Sequence, residues 1–218
     1  MARGPWRMVT VDIDGTLTRV HGWRVIAERF GRVALYERTM ARIRAHEAGE
    51  DETIVGLLSI AEGHTVAEVV AALAATPRLS GIPEGVRRLH EEKMIVALLT
   101  HNPPYITDWY CAFAGFDDAA GIRGSQATDP RIGPSVGVGA DKPGGLAALV
   151  GRTGIDPNSV VHVGDAGPDA AIFPLVGAGI ALNAKSPAVR GAADLAIDTT
   201  DFGDVVTAVL CLPSRRER

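Results

Sequence analysis

The stretch MVTVDIDGTLT, residues 8–18, contains a short apolar run that ends in two carboxylates spaced two residues apart. Residues i and i+2 of an extended strand point to the same face, so Asp12 and Asp14 are expected to lie close together. Each negative charge disfavours ionisation of the other, and a raised pKa, a basic partner or a bound cation relieves the repulsion. The stretch therefore predicts a buried strand that delivers two acidic side chains to a site.

The composition indicates a globular protein that binds small molecules. The chain has 218 residues, of which 46% are hydrophobic, enough for one sizeable domain or one domain with a small insertion. It carries 22 basic and 26 acidic residues, for a formal charge of −4, and so lacks the basic excess typical of nucleic-acid-binding proteins. We expect no nucleic-acid partner, and a monomer or homodimer.

The sequence also bears on the cellular location of the protein. Residues 1–8 contain two Arg but no apolar run, and no segment approaches the roughly 20 apolar residues of a membrane span. Cys111 and Cys211 stand far apart, so a disulfide framework is not expected. We therefore expect a cytoplasmic protein with reduced thiols and no membrane association.

Apolar runs alternate with helix-like stretches along most of the chain. The runs have the length and composition of buried parallel strands, and they cover residues 8–13, 94–99, 160–163 and 178–182. The helix-like stretches cover residues 105–113, 145–152, 169–176 and 202–210. This alternation predicts an α/β fold with a doubly wound, mostly parallel, Rossmann-like sheet.

One block interrupts the alternation. Residues 22–75 show amphipathic helical periodicity and no strand pattern, which predicts a small all-α cap of three helices inserted after the first strand. We therefore divide the chain into a core domain, residues 1–20 and 78–218, and a helical cap, residues 21–77. Aromatic and histidine side chains in such an insertion usually pack or face solvent, and this is expected of His21, Trp23, His46 and His64.

Polar side chains follow the predicted strands. The carboxyl ends of parallel strands meet at one rim of a sheet, and that rim is where ligands bind. Four carboxylates at one rim require a cation, and oxygen ligands suit Mg²⁺, whereas the sequence has no His/Cys cluster of the kind that binds zinc. The side chains expected at this rim are Asp12, Asp14, Thr100, Lys142, Asp165 and Asp169.

The order of these residues resembles the four motifs of the haloacid dehalogenase-like (HAD) superfamily. The motifs are DIDGTLT at residues 12–18, Thr100, Lys142 and GDAGPD at residues 164–169. A helical insertion directly after the first motif is similar to the small cap of the phosphoserine-phosphatase-like members. The resemblance covers most of the chain and implies a phosphomonoester hydrolase.

The resemblance also implies roles for the matching residues. Asp12 is expected to be the nucleophile that becomes an aspartyl phosphate, and Asp14 the general acid/base. Thr100 is expected to hydrogen-bond a phosphoryl oxygen, and Lys142 to neutralise charge on the phosphoryl group and on Asp12.

Mg²⁺ is implied to bind Asp12, the backbone carbonyl of Asp14, and Asp165. Asp169 is implied to hold either Lys142 or a metal-bound water. His101 and Asn102 follow Thr100 at the rim, and they either bind substrate or cap the next helix.

Departures from the family pattern bear on the substrate. Phosphoserine phosphatases carry an acidic residue after the first motif and an Arg in the cap, whereas this chain has RVHGW at residues 19–23 and TIVGLL at residues 53–58. Their second motif runs Ser-Gly-Gly, whereas this chain has THNPP at residues 100–104. We therefore predict a Mg²⁺-dependent phosphatase for a small phosphorylated metabolite other than phosphoserine. A phosphotransferase or mutase of the same superfamily and a non-catalytic, phosphate-responsive regulatory module are the alternatives.

Overall fold

A single parallel sheet forms the centre of the molecule. The computed structural model describes residues 6–45, 47, 49–122, 130–134, 141–213 and 215. Within these residues, six strands pair in the order β3-β2-β1-β4-β5-β6, and every pairing is parallel. The strands are β1 (Met8–Val11), β2 (Ile95–Leu99), β3 (Asp118–Ala120), β4 (Val160–Gly164), β5 (Ala178–Leu182) and β6 (Leu195–Ile197). The predicted doubly wound α/β fold is confirmed.

Helices occupy most of the remaining described chain. Four of them follow β1 without an intervening strand: α1 (Gly22–Arg29), α2 (Val33–Arg44), α3 (Glu50–Leu58) and α4 (Val66–Ala74). We call residues 22–74 the helical insertion. The others alternate with strands: α5 (Ile82–Glu91), α6 (Pro104–Ala114), α7 (Lys142–Thr153), α8 (Gly167–Ala170), α9 (Pro187–Ala192) and α10 (Phe202–Cys211).

The strand β1 lies in the middle of the sheet, between β2 and β4. All four of its residues are buried, as expected of a strand that is covered on both faces. Val9 and Val11 join the large hydrophobic cluster that also contains buried residues of the helical insertion, whereas Met8 joins a second cluster with Leu146 and Leu149 of α7. The chain reverses direction across the sheet between β3 and β4, so the rim beside β1 and β4 is the topological switch point, where ligands bind in such sheets.

The helical insertion has one more helix than the sequence predicted. Periodicity indicated three helices, and α2 was missed because most of its side chains are exposed, with only Tyr36 and Thr39 buried. A helix with so narrow an apolar stripe gives a weak periodic signal. The insertion contributes Ile26, Ile54 and Leu73 to the same cluster as Val9 of the sheet. The division into a core and a cap at residues 20/21 and 77/78 stays a prediction.

Two predicted elements have different bounds in the structure. The helix predicted over residues 169–176 is wrong: α8 ends at Ala170, and a short 3₁₀ turn, Phe173–Leu175, follows it. Pro174 has no N–H to donate and its ring clashes with a preceding carbonyl, so the helix cannot continue through it. The first strand ends at Val11 rather than at residue 13, because a tight turn follows. Among the described helices, none is long and apolar enough to cross a membrane.

Candidate active site

Three strands deliver polar side chains to one rim of the sheet. Asp12 follows β1, Thr100 follows β2 and Asp165 follows β4 directly, and the parallel register aligns these strand ends. The backbone N–H of Asp12 donates to the carbonyl of Val163 at 3.0 Å, which fixes the end of β1 against β4. The rim therefore gathers these side chains as the strand order requires.

Lys142 connects two of the carboxylates. It is the first residue of α7, whose N-terminus is capped by the Asp141 side chain, which accepts from the Gly144 N–H at 2.6 Å. The Lys142 Nζ lies 2.9 Å from Asp12 Oδ1 and 2.5 Å from Asp169 Oδ1, and its side chain is buried. Burial alone would lower the pKa of Lys142, but the two carboxylates raise it above its ordinary value. Lys142 is therefore a fixed ammonium at the rim.

The Asp169 carboxylate accepts four hydrogen bonds. Its Oδ1 accepts from Lys142 and from His162 Nε2 at 2.9 Å, and its Oδ2 accepts from the backbone N–H groups of Asp165 at 3.1 Å and Ala166 at 3.0 Å. Burial alone would raise the pKa of Asp169, but Lys142 and His162 hold it below the ordinary range. Two carboxylate oxygens have about four acceptor positions, so Asp169 is occupied by these partners and holds Lys142 in place.

His162 and Thr10 extend this arrangement into the sheet. His162 is fully buried on β4, and its Nδ1 lies 2.9 Å from the Thr10 hydroxyl of β1. Burial lowers the pKa of His162, so the ring is neutral, with Nε2 donating to Asp169 and Nδ1 accepting from Thr10. We call Thr10, His162, Asp169, Lys142 and Asp12 the lysine network. Each of its side chains is buried.

The carboxylates of Asp12 and Asp165 are the part of the rim that fits a cation. Burial raises the pKa of Asp12 to about 8 against the opposing effect of Lys142, and burial and Asp169 raise that of Asp165 to about 7. Oxygens of Asp12, Asp165 and Asp169 lie within 4.8 Å of one another, and Lys142 is the only ammonium that contacts this cluster among the described residues. An all-oxygen set with excess negative charge fits a hard divalent cation.

Gly15 allows the turn after β1 to pass close to Asp165. Its φ of +88° lies in the left-handed region, which glycine adopts without strain. A Cβ at this position would also collide with the Asp165 carboxylate. The next residue, Thr16, donates its hydroxyl to Asp165 Oδ1 at 3.1 Å, so the turn holds that carboxylate at the rim.

Asp14 is held by a separate set of partners. Its Oδ1 accepts from the backbone N–H of Gly22 at 2.6 Å, and its Oδ2 accepts from Asn102 Nδ2 at 2.8 Å. Asn102 also donates to Thr100 Oγ1 at 2.9 Å and accepts from Trp23 Nε1 at 2.9 Å. We call Asp14, Gly22, Trp23, Thr100 and Asn102 the acid network. Gly22 and Trp23 belong to the helical insertion.

The other histidines occupy different surroundings. His21 Nδ1 lies 3.6 Å from Asp14 Oδ1, and its ring contacts Tyr36 edge-on. His101 is largely buried, and burial together with Lys142 lowers its pKa to about 4, so it is neutral. His64 stacks on Phe30 with ring centroids 3.5 Å apart, as the packing prediction expected. His46 lies outside the described residues.

The structure brings together the residues that the sequence placed at the rim, and it adds others that the sequence patterns did not indicate. His162 and Thr10 were read only as parts of apolar strands, and Trp23 was assigned to packing. A polar side chain inside a strand buried on both faces needs a partner, so His162 between two valines was a usable signal. No comparable feature of the sequence indicates that the Trp23 N–H takes part in the site.

Comparison with known proteins relates this chain to a family of hydrolases. The sequence profile of a hydrolase family, the haloacid dehalogenase-like hydrolases, matches residues 6–177. A phosphoserine phosphatase of Archaeoglobus fulgidus is 28% identical over 213 residues, which are 95% of this chain and 61% of that protein. A phosphoserine phosphatase of Haemophilus influenzae is 25% identical over 217 residues, which are 97% of this chain and 67% of that protein. The chain thus spans about two thirds or less of the length of these relatives.

A solved structure shows the same fold. A HAD family hydrolase from Salmonella enterica serovar Typhi superposes with a TM-score of 0.82 at 17% sequence identity, over 95% of this chain and 72% of that one. At this level of identity the likeness concerns the fold alone.

Proposed function

The chain belongs to the haloacid dehalogenase-like hydrolase family, and we propose that it is a Mg²⁺-dependent phosphatase that hydrolyses a small phosphorylated metabolite through an aspartyl phosphate on Asp12. One observation carries the proposal: the Lys142 ammonium lies within hydrogen-bond distance of both Asp12 and Asp169, with Asp165 beside them. A buried ammonium among carboxylates at the switch point of a parallel sheet suits a dianionic phosphoryl group.

The first chemical step is phosphoryl transfer to Asp12. A carboxylate oxygen of Asp12 forms a bond to phosphorus while the bond from phosphorus to the leaving oxygen breaks. Asp14 donates its proton to that leaving oxygen, and an alcohol departs. Lys142 faces the charge that develops on the phosphoryl oxygens. The Thr100 hydroxyl oxygen accepts a hydrogen bond from Asn102. The hydroxyl proton of Thr100 therefore points away from Asn102 and donates to a phosphoryl oxygen.

The second step releases phosphate. Asp14, now a carboxylate, takes a proton from a water molecule as that water attacks phosphorus, and the acyl–phosphate bond to Asp12 breaks. Asp12 and the protonated Asp14 are thereby restored. Both steps need Asp14 to stay close to the phosphoryl group, and the acid network supplies the contacts that hold it there.

Asp12, Asp165 and the backbone carbonyl of Asp14 are the groups that would hold Mg²⁺. Asp169 is excluded as a direct ligand in this proposal, because its two oxygens already accept four hydrogen bonds. A bound Mg²⁺ would offset the repulsion between the buried carboxylates and polarise the phosphoryl oxygens.

The substrate in this proposal is not phosphoserine, although two relatives carry the name phosphoserine phosphatase. Residues 19–23 contain no acidic side chain, and the side chain beside Asp14 is the imidazole of His21. An imidazole is a poor partner for a substrate ammonium, and an ammonium without a partner in a closed pocket is costly. A panel of phosphoserine, phosphoethanolamine, phosphoglycolate and glycerol 3-phosphate separates the need for an amine from the need for a carboxylate. A kcat/KM for phosphoserine well above the other three would contradict this part of the proposal.

The Asp12→Asn variant tests the nucleophile. It keeps the shape of the side chain but removes its negative charge, and we expect no measurable release of phosphate from 4-nitrophenyl phosphate with Mg²⁺ present. Asp198→Asn is the matched control, since Asp198 is an exposed carboxylate paired with Arg190. In the unchanged protein, acid quenching during turnover should trap a phosphoenzyme that hydroxylamine cleaves. Full activity in Asp12→Asn would refute the assignment.

The same measurements separate the alternatives. A mutase moves phosphate between two positions of one molecule and releases little of it, whereas a regulatory module keeps a long-lived acyl phosphate without turnover. Release of one phosphate per alcohol formed, over many turnovers, excludes both alternatives.

A further inference from the structure

We propose that Trp23 is a positioning residue for the general acid: its indole N–H fixes the orientation of the Asn102 amide, which in turn holds the carboxyl group of Asp14. The inference rests on the proposed phosphatase function and adds to it a device that links the helical insertion to proton transfer.

The hydrogen-bond chemistry allows one orientation of Asn102. The indole N–H of Trp23 can only donate, so the amide oxygen of Asn102 must face Trp23 and the amide nitrogen must face Asp14. The second proton of that nitrogen goes to Thr100 Oγ1. Both amide protons of Asn102 are thus donated, and its amide oxygen accepts one hydrogen bond and has one lone pair left. Asn102 acts on Asp14 and Thr100 in this arrangement.

Because Trp23 and Asn102 are buried, loss of the hydrogen bond between them should disturb the Asn102 amide. Trp23 and Asn102 are 3% and 2% exposed, so water does not replace a lost partner easily. Without the indole N–H, the amide oxygen of Asn102 is buried and unsatisfied, which favours rotation of the amide toward another donor. A rotated amide would turn its oxygen toward the Asp14 carboxylate and repel it.

Asp14 has a second contact from the same helix. The Gly22 N–H donates to its Oδ1, and a Cβ on Gly22 would come within 2.9 Å of that oxygen. Each carboxylate oxygen of Asp14 therefore accepts one hydrogen bond that depends on α1. The bond to Oδ1 comes directly from Gly22, and the bond to Oδ2 comes from Asn102, which Trp23 orients. Each oxygen keeps a lone pair on which the transferable proton can reside.

The test uses the dependence of rate on the leaving group. An alkoxide is a poor leaving group that needs a proton from Asp14, whereas 4-nitrophenolate leaves without one. The value of kcat/KM reports the steps up to phosphoryl transfer to Asp12 and is insensitive to the later attack of water. We expect Trp23→Phe to lower kcat/KM about 10- to 100-fold for glycerol 3-phosphate. For 4-nitrophenyl phosphate we expect a clearly smaller loss, so that the ratio of the two kcat/KM values changes.

Trp6→Phe is the matched control. Trp6 is another buried tryptophan whose Nε1 donates at 2.9 Å, in its case to the Leu212 carbonyl. It precedes β1 and so lies at the end of that strand opposite the rim. The control variant should leave the ratio of the two kcat/KM values unchanged. An equal loss for both substrates in Trp23→Phe, or no loss for either, would overturn the inference.

A double-mutant cycle tests whether Trp23 acts through Asn102. In an Asn102→Ala background, Trp23→Phe should cause no further change in the leaving-group ratio, because the connecting amide is already gone. Additive losses would show that Trp23 does not act through Asn102.

The indole resonance of Trp23 gives a readout that is independent of activity. The chain has three tryptophans, so Trp→Phe variants assign each ¹H–¹⁵N indole signal. Asn102→Ala should shift the Trp23 signal and speed its exchange with solvent, and leave that of Trp6 in place. An unmoved Trp23 signal refutes the hydrogen bond even if the protein hydrolyses no phosphate ester, whereas a shifted signal without turnover leaves the link standing and refutes the proposed function.

Discussion

The lysine network and the acid network meet at the same rim but are built from different parts of the fold. Each residue of the lysine network lies on β1 or β4, directly after β1, or on one of the helices α7 and α8. The acid network instead combines the turn after β1 and the loop after β2 with Gly22 and Trp23 of the helical insertion. The geometry of the lysine network thus depends on the sheet and its covering helices, whereas that of the acid network also depends on the position of α1.

Burial separates the central carboxylates of the two networks, Asp169 and Asp14. Asp169 and His162 are fully buried, whereas the Asp14 side chain keeps 14% of its surface exposed. A buried, hydrogen-bonded charge is rigid and costly to disturb, while a partly exposed carboxylate can exchange partners with water. We therefore expect the lysine network to keep its geometry when the helical insertion is perturbed, and the contacts of Asp14 to change with it.

Asp169→Asn should have the largest effect. All four partners of Asp169 are donors, so the amide NH₂ of an asparagine meets a donor whichever way it turns. Removing one member of a buried ion pair costs about 3–5 kcal/mol in free energy of unfolding. A displaced Lys142 should also reduce kcat/KM about 100-fold. Urea denaturation and steady-state kinetics measure the two effects, and a stable, active variant would show that Asp169 does not hold Lys142.

Mg²⁺ should stabilise the protein through Asp165 and not through the Asp14 side chain. At a concentration of 100 times its dissociation constant, a ligand that binds only the folded state adds about 2.7 kcal/mol to the free energy of unfolding. Asp165→Asn should abolish this increment, whereas Asp14→Asn should retain it, because only the backbone carbonyl of Asp14 is proposed as a ligand. Thermal denaturation with Mg²⁺ and with EDTA compares the variants. Equal loss in both would place the cation elsewhere.

His162→Leu should weaken the lysine network without dismantling it. Asp169 loses one of four donors and Thr10 loses its ring partner, for a cost of about 1–3 kcal/mol in free energy of unfolding. We expect kcat/KM to fall about tenfold for alkyl and aryl phosphates alike, in contrast to Trp23→Phe. His162→Gln is the conservative comparison, since its amide can still donate to Asp169 and should restore part of the activity. Similar activities in both variants would show that donation to Asp169 is unimportant.

Thr10→Val should have the smallest effect. It removes only the hydroxyl that contacts His162 Nδ1, in a nearly isosteric change, and should cost about 1 kcal/mol in free energy of unfolding. Activity should stay within about twofold of the unchanged protein, because His162 keeps its bond to Asp169. A loss of activity as large as that of His162→Leu would mean that the tautomer of His162 depends on Thr10.

The sequence was a good guide wherever chemistry directly follows a strand. Asp12, Thr100 and Asp165 each stand at the end of an apolar run, and parallel strands must bring such positions to one rim. The sequence did not predict α2, β3 or β6. The helix α2 has few buried residues, and the strands β3 and β6 have three residues each. A three-residue strand is too short for an apolar pattern to register.

The strand–helix alternation, the family and the kinds of side chain that gather at the rim follow from local patterns of residues, so the sequence was sufficient to predict them. The partners of those side chains, in contrast, depend on how the chain folds. Thr10 and His162 are 152 residues apart, and Trp23 and Asn102 are 79 residues apart. A hydrogen bond between such positions exists only once strands have paired and helices have packed, so no local pattern could specify it.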